Sequence, residues 1–143
     1  MGSLSIKDVN ELCKNSLIDH LGIVITELSF DTVKATMPVD NRTKQPLGLL
    51  HGGAVMALVE TVGSVGSYNL VDPEKFDVVG IEINGNHIGN TNLHYVYAVG
   101  HLVHQGKKTH VWSVNIFDEK NVPVSVCRMT NMVIEKTGQQ PEE

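Results

Sequence analysis

One carboxylate, Glu60, stands in the middle of a long apolar stretch of this sequence. It is the only acidic or basic side chain, histidine aside, between Lys44 and Asp72. A glutamate is rarely buried unless it is paired or takes part in chemistry. Nine residues earlier comes the segment His51–Gly53, where the backbone N–H groups of a helix start can be approached closely and have no partner inside the helix. A lone carboxylate near a bare helix start predicts a chemical site.

The residues between these two features must form the element that positions them. From His51 to Ser64 the sequence is apolar on almost every side of a helix, which predicts a buried helix wrapped by the rest of the chain. Ser64 follows Glu60 by four residues, so the two side chains share one helix face. Ser64 could orient Glu60 or a water molecule, or it could be a small residue at a packing contact.

The rest of the sequence predicts a leading helix and six strands. Helical spacing covers about Ile6–Ser16, and strand-like patterns cover residues 23–28, 32–37, 78–88, 93–103, 110–117 and 122–134. Polar connections at 105–108 and 118–121 are typical of antiparallel neighbours. Asn84-Gly85 alone would favour a hairpin, but its strand-like flanks favour a bulge or a close approach. These elements predict an α+β fold, with an antiparallel sheet wrapped around one long central helix.

Length and charge limit the organisation and the partners of the protein. A chain of 143 residues predicts one domain, which we place at residues 1–136. The polar tail at 137–143 is expected to be disordered. A net charge of −5 argues against a nucleic-acid partner, because nonspecific binding of nucleic acid needs a basic surface.

Location and metal content follow from a few further features. The most apolar run, Pro46–Val71, contains a histidine and a glutamate and is a poor membrane span. With no charged-then-apolar leader, and with Cys13 and Cys127 far apart, we expect a cytoplasmic protein with reduced cysteines. The histidines lack metal-type spacing; His101 and His104, three apart on a strand, point to opposite faces. No metal is expected.

The sequence resembles the hotdog-fold acyl-CoA thioesterases, in the 4-hydroxybenzoyl-CoA and phenylacetate-degradation branch. The segments that carry the resemblance are 45–53, 60–64, 79–87, 106–112 and 115–120. Within the branch the sequence is most similar to the aroyl-CoA thioesterases of the 1,4-dihydroxy-2-naphthoyl-CoA type. The most specific feature is His51–Gly53 with Gln45 upstream and a helix carboxylate nine residues after the histidine. Related enzymes use Asp or Glu as that carboxylate, and this chain has Glu60.

The resemblance implies hydrolysis of an acyl-CoA thioester, and the residue types fit that chemistry. The Gly53 N–H, reinforced by the helix dipole, would polarise the thioester carbonyl. Gln45 matches the position that supports the same region, and His51 would position or contact the thioester. Glu60 would attack the carbonyl or activate a water molecule.

The resemblance also implies positions that bind the substrate. His87 matches a ligand-side position, although a strand histidine can equally be structural. Gly106, Lys107 and Lys108 match the segment that places the CoA phosphates, although a solvated hairpin end is the simpler alternative. Coenzyme A would be part of the substrate, and no separate cofactor is expected.

Helix geometry predicts that the site is shared between chains. Gly53 and Glu60 are seven residues apart, which is roughly 10 Å along a helix. A glutamate side chain cannot span that distance to a carbonyl held at Gly53. Both groups can meet one thioester only in a homodimer with shared sites, and the resemblance implies a dimer of dimers.

Other functions on the same fold make different demands on the sequence. A noncatalytic acyl-CoA-binding domain is the main alternative, but it has no need of a costly buried carboxylate. Hydratase or dehydratase chemistry would want a differently placed His/Asp or His/Glu pair. An acyl-carrier-protein substrate would call for a basic docking patch, which the net charge of −5 does little to support.

Overall fold

The computed structural model describes residues 4–136. The helices are α1 (Ile6–Leu12), α2 (Leu17–His20) and α3 (Gly52–Asn69), and the strands are β1 (Val24–Leu28), β2 (Thr32–Pro38), β3 (Phe76–His87), β4 (Tyr95–Gln105), β5 (Thr109–Asp118) and β6 (Pro123–Glu135). The six strands and the central helix are therefore confirmed. The tail predicted at 137–143 lies outside the described residues. None of the described helices is long and apolar enough to cross a membrane.

The six strands form one antiparallel sheet in the order β1-β2-β4-β5-β6-β3. Helix α3 packs against β2 to β6 on one face of this sheet. Strand β5 shows why that face is buried: its inward residues Trp112, Val114 and Ile116 are fully covered, as their alternation with polar residues requires. The predicted α+β architecture is confirmed.

The leading helix differs from the single helix predicted over 6–16. It starts at a capping box in which the Ser5 hydroxyl accepts from the Asp8 N–H. It ends at Leu12, and Asn15 adopts a positive φ of 58°, a conformation that a helix cannot continue through. The chain then starts the separate helix α2, whose N-cap is Ser16. Apolar periodicity alone does not locate such a break.

Small residues allow α3 to lie close to the sheet. A Cβ at Gly66 would overlap the indole of Trp112, and a Cβ at Gly63 would lie 2.6 Å from Met129 Cγ. The Trp112 Nε1–H donates to the Ser67 hydroxyl at 2.9 Å. The buried indole is therefore both packed and hydrogen-bonded, as a buried tryptophan requires.

Asn84-Gly85 lies inside a regular part of β3. Gly85 pairs with Cys127 without a register shift, and a Cβ at Gly85 would lie 2.6 Å from Cys127 Sγ and 2.8 Å from Met56 Cε. The close approach is confirmed, whereas the bulge is elsewhere. The register shifts between Gly80 and Glu82, so Ile81 is the extra residue.

Strand β3 is a long edge of the sheet. Its 12 residues pair only with β6 among the described strands. Val79 and Ile81 on this strand are 42% and 49% exposed, and Ile88, directly after it, is 59% exposed. A long edge with exposed apolar side chains is a template for pairing with another chain.

Candidate active site

The start of α3 is capped by a histidine. His51 is the N-cap residue, and its Nδ1 accepts a hydrogen bond from the Gly53 N–H at 2.8 Å. An imidazole nitrogen that accepts has no proton, so the neutral His51 ring carries its proton on Nε2. The His51 side chain is exposed, which leaves that Nε2–H free to face a ligand.

This cap changes the role expected for Gly53. Because its N–H is already bonded to His51, it is not the free donor that the sequence predicted. Within residues 4–136 the Gly52 N–H has no acceptor, and it lies at the first position of α3. Side-chain caps reach the second or third helical N–H and leave the first one open. That rule could have identified Gly52 from the sequence.

A cavity of about 410 Å³ opens at this helix start, and we call it the helix-start cavity. Gln45, Gly52 and His87 all line it. The Gln45 Oε1 accepts from the Leu47 N–H within the preceding loop. The Gln45 side-chain NH₂ group is therefore the part of the amide that remains for a ligand.

His87 lies over the start of α3. It is the last residue of β3, and its Nδ1 is 2.8 Å from the Ser125 hydroxyl oxygen. A Cβ at Gly52 would lie 2.7 Å from His87 Nε2. The ring can occupy this place only because residue 52 has no side chain. The structure thus brings together Gln45 and His87, which the sequence predicted separately, and Gly52, which it did not single out as a donor.

Glu60 lies in a different part of the molecule. Together with Ser64 it lines a cavity of about 240 Å³, the carboxylate cavity. The other lining residues are mainly apolar, and two of them belong to α2; in full they are Leu17, Ile18, Leu21, Ile23, Ala57 and Thr61. The Glu60 Oε1 lies 2.9 Å from where a Cβ of Gly80 would be, so a glycine in β3 makes room for the carboxylate.

The prediction that Glu60 is buried is wrong for the single chain. The residue is exposed, and no described cation forms an ion pair with it. The reason is the sheet order: Glu60 faces β3, and beyond that edge strand the described chain has no further strand to cover it.

The Ser64 side chain is hydrogen-bonded to a core residue that the sequence did not single out. Its hydroxyl donates to Asn131 Oδ1 at 3.4 Å. Asn131 is fully buried, and its Nδ2 donates to Gly63 O and Ser67 Oγ at 2.9 Å each. These two bonds fix the amide with Oδ1 toward Ser64. The available signal was a polar residue at an inward position of β6, in phase with the buried Met129.

An apolar groove adjoins the carboxylate cavity and shares Ile18 and Ser64 with it. Its volume is about 410 Å³, and its other lining residues come from α1, α3, β3 and the α1–α2 connection: Val9, Leu12, Cys13, Ser16, Val65, Tyr68 and Val78.

Burial raises the pKa of Cys13 and raises that of Cys127 to about 11. Both thiols are free and remain protonated at neutral pH, which makes them poor nucleophiles.

The predicted phosphate-binding segment lies outside both cavities. Lys107 and Lys108 are exposed in the β4–β5 turn, next to the half-buried Gly106. The Lys108 carbonyl accepts from the Val133 N–H at 2.9 Å, which ties the turn to the last part of β6. Within one chain this segment is not brought to Glu60.

One chain therefore carries two separate groups of candidate site residues. Gly52 and Glu60 are eight residues apart on α3, which is about 12 Å along the axis. The N–H donors at the helix start thus cannot share one small reacting group with the carboxylate of the same chain. In the described part of the chain, no group of three or more His, Cys, Asp or Glu side chains could hold a metal ion.

If His51 caps α3, its replacement should change the stability of the folded protein. His51→Ala removes the acceptor for the Gly53 N–H and should lower the free energy of unfolding by about 1 kcal/mol. His51→Asn keeps a short acceptor at the N-cap and should stay close to the wild type. Urea unfolding at one fixed protein concentration measures both. Equal losses in the two variants would mean that His51 does not stabilise the helix as a cap.

Comparisons with known proteins agree with this architecture. Residues 47–125 match the thioesterase superfamily. The 1,4-dihydroxy-2-naphthoyl-CoA hydrolase of Escherichia coli is 39% identical over 131 residues, covering 92% of this chain and 96% of that protein. The crystal structure of a mutant thioesterase from Pseudomonas aeruginosa has a TM-score of 0.91 at 37% identity, covering 94% of this chain and 97% of that one.

A thioesterase from Haemophilus influenzae gives a second structural match, with a TM-score of 0.89 at 39% identity, covering 94% of this chain and 93% of that one. Both the sequence and the fold are thus similar over nearly the whole length of this chain and of its relatives. The chain belongs to the thioesterase superfamily and is an enzyme of the hotdog fold that hydrolyses thioesters.

Proposed function

We propose that the enzyme hydrolyses acyl-CoA thioesters, with an aroyl group as the acyl part, to the free acid and CoA. The observation that carries this proposal is the pair of half-sites on α3: an open helix start with polar donors, and Glu60 with Ser64 beside an apolar groove. The naphthoyl-CoA hydrolase of Escherichia coli, at 39% identity, supports an aroyl-CoA substrate.

The helix-start cavity supplies the groups that bind the carbonyl. The Gly52 N–H, at the positive end of the α3 dipole, would donate to the thioester oxygen and bind it more strongly as negative charge develops. The Gln45 amide and His87 line the same cavity and would hold the thioester against the helix start. His51, with its Nε2–H, would contact the thioester from the N-cap position.

Glu60 supplies the chemistry at the carbonyl carbon by one of two routes. As a general base it takes a proton from water while the water oxygen bonds to the carbonyl carbon; the C–S bond then breaks, and the proton on Glu60 neutralises the CoA thiolate. As a nucleophile it forms an anhydride and releases the thiolate, and water then cleaves the anhydride. Ser64, held by Asn131, would orient the water in either route.

The apolar groove is the place for the acyl group. It begins beside Ser64 and is lined by Val65 and Tyr68 of α3 and by Val78 of β3. Its volume of about 410 Å³ falls within the ~300–1,000 Å³ of small-molecule sites. An aromatic ring would be buried there, with its thioester carbon next to the carboxylate cavity.

The direct test of this function replaces the carboxylate. Glu60→Gln keeps the shape of the side chain and removes its charge, so kcat for aroyl-CoA hydrolysis should fall by ~10²–10⁴ with little change in KM. Glu74→Gln, at an exposed glutamate in the turn after α3, is the matched control and should be fully active. Activity is followed by release of the CoA thiol.

A folded Glu60→Gln enzyme with wild-type kcat would exclude Glu60 as base or nucleophile. If instead the wild-type protein bound acyl-CoA without hydrolysing it, the noncatalytic acyl-CoA-binding domain would be the better description. A panel of aroyl- and fatty acyl-CoAs in the same assay identifies the acyl group.

The site is completed by a second copy of the chain. Each chain carries Gly52 and Glu60 about 12 Å apart on one rigid helix, so the carbonyl-binding half must come from one chain and the carboxylate from another. The exposed edge of β3 passes close to both halves, with Gly80 at Glu60 and His87 at Gly52. Pairing of two β3 edges about a two-fold axis would cover the exposed apolar side chains and form two shared sites.

Mixed dimers test this assembly. Glu60→Gln and His87→Ala should each be weak alone, but co-refolding them in equal amounts should restore roughly a quarter of wild-type activity. Half of the dimers are then mixed, and each mixed dimer has one intact site of two. Activity no greater than the sum of the two variants would mean that each chain builds its own site. Analytical ultracentrifugation distinguishes a dimer from the dimer of dimers that we expect.

The β4–β5 turn is proposed to bind the phosphates of CoA. Lys107 and Lys108 are exposed and, within the described chain, form no ion pair. The double change Lys107→Ala/Lys108→Ala should raise KM for CoA thioesters and weaken its dependence on salt, because salt screens exposed charges. Lys120→Ala, in the exposed β5–β6 turn, is the control. An unchanged KM and salt response would leave the pair as a solvated turn.

A further inference from the structure

Ser125 and His87 form a cross-strand pair at the end of β3. They are direct partners in the β3–β6 register, and the Ser125 hydroxyl oxygen lies 2.8 Å from His87 Nδ1. Ser125 has no exposed surface, whereas the His87 side chain is exposed toward the helix-start cavity. One end of the imidazole is therefore anchored in the core while the other end faces the site.

The direction of this hydrogen bond follows from the burial of Ser125. Among the described residues, His87 is the only hydrogen-bond partner of the Ser125 side chain. If the ring donated to the hydroxyl oxygen, the hydroxyl hydrogen would be buried without an acceptor, which is unfavourable. The hydroxyl therefore donates to Nδ1. In the neutral ring the proton is then on Nε2.

The Nε2 end of His87 lies where a carbonyl must bind. It is the atom nearest to a Cβ placed at Gly52, at 2.7 Å, and both residues line the helix-start cavity together with Gln45. In the part of the chain that the structure describes, no acceptor bonds to His87 Nε2. An N–H at this position faces the same space as the unpaired Gly52 N–H.

We propose that Ser125 is a positioning residue that fixes the tautomer of His87, so that the His87 Nε2–H is a second donor to the thioester carbonyl beside the Gly52 N–H. The proposal rests on the proposed thioester hydrolysis. His87 transfers no proton in this role: it donates one hydrogen bond throughout, and that bond strengthens as the carbonyl oxygen gains negative charge. Ser125 acts only through His87 and does not touch the substrate.

The contrast with His51 makes the assignment more specific. His51 also accepts at Nδ1, but from a backbone N–H that every sequence with a helix there would offer. His87 depends on one side-chain hydroxyl, so its tautomer can be changed by a single substitution. A residue that only filled the space of Ser125, without a hydroxyl, would not select one tautomer of the ring.

The first test determines the tautomer of His87 in the absence of substrate. In ¹⁵N-labelled protein, the ring nitrogen shifts should show His87 with a proton on Nε2 and none on Nδ1. Ser125→Ala should give a mixture of the two tautomers, and Ser125→Thr, which keeps the hydroxyl, should retain the wild-type pattern. A wild-type ring with its proton on Nδ1, or an unchanged pattern in Ser125→Ala, would overturn the assignment.

The second test is kinetic. His87→Ala should lower kcat by ~10², as expected for the loss of one donor to the developing oxyanion. Ser125→Ala should lower kcat by a smaller factor, about tenfold, and Ser125→Thr should restore most of it. In the His87→Ala background, Ser125→Ala should cause no further loss of kcat. An equal loss from Ser125→Ala with and without His87 would show that Ser125 acts through the fold in general.

The two tests separate this inference from the proposed function. If the protein hydrolysed no acyl-CoA, the proposed function would fail, while the ring nitrogen shifts would still decide whether Ser125 fixes the tautomer. If hydrolysis depended on Glu60 but not on His87, the function would stand and the donor role of His87 would be excluded.

Discussion

The rigidity of α3 is the constraint on which the rest of the molecule depends. A helix rises 1.5 Å per residue, and no packing of side chains shortens it. This helix carries both the open N–H of Gly52 and the carboxylate of Glu60, so their separation is fixed by the chain itself. The fold then needs a sheet that supports the helix along its length and still leaves both Gly52 and Glu60 accessible. The order of the strands achieves this by placing β3 at the edge.

Close packing makes the helix a precise support. The glycines at 63 and 66 let α3 lie against Met129 and Trp112, and the buried hydrogen bonds of Ser67 and Asn131 join helix to sheet. These bonds are in the core, where an unpaired polar group is costly, so they resist rearrangement. Ser64 is attached to the same network, and its orientation beside Glu60 is thus determined by the core rather than by solvent.

The sequence predicted the elements well because their patterns are local. The alternation in β5, the apolar length of α3 and the polar turns each depend on a few neighbouring residues. Gly53 was predicted to donate to the carbonyl, but its N–H is bonded to His51. The unpaired N–H of the described helix start is that of Gly52, as expected where a side-chain cap reaches the second helical N–H. Ser125 and Asn131 could not be assigned, because their partners His87 and Ser64 are distant in the chain and only the strand register brings them together. Glu60 is exposed because it faces the edge strand β3, beyond which the described chain has no further strand to cover it.

The extra residue in β3 decides whether one strand can contact α3 both at Gly52 and at Glu60. Gly80 and His87 are separated by an odd number of positions, and in an uninterrupted strand such residues point to opposite faces. Ile81, unmatched in the register, resets the phase of the pleat, so that Gly80 faces Glu60 and His87 faces Gly52. The bulge therefore shifts the inward-outward alternation of β3 by one residue. A change in the length of this segment keeps Gly80 and His87 on the helix-facing side only if it adds or removes an even number of residues. A single deletion between the two residues would leave the strand paired but would turn one of them outward, away from the helix.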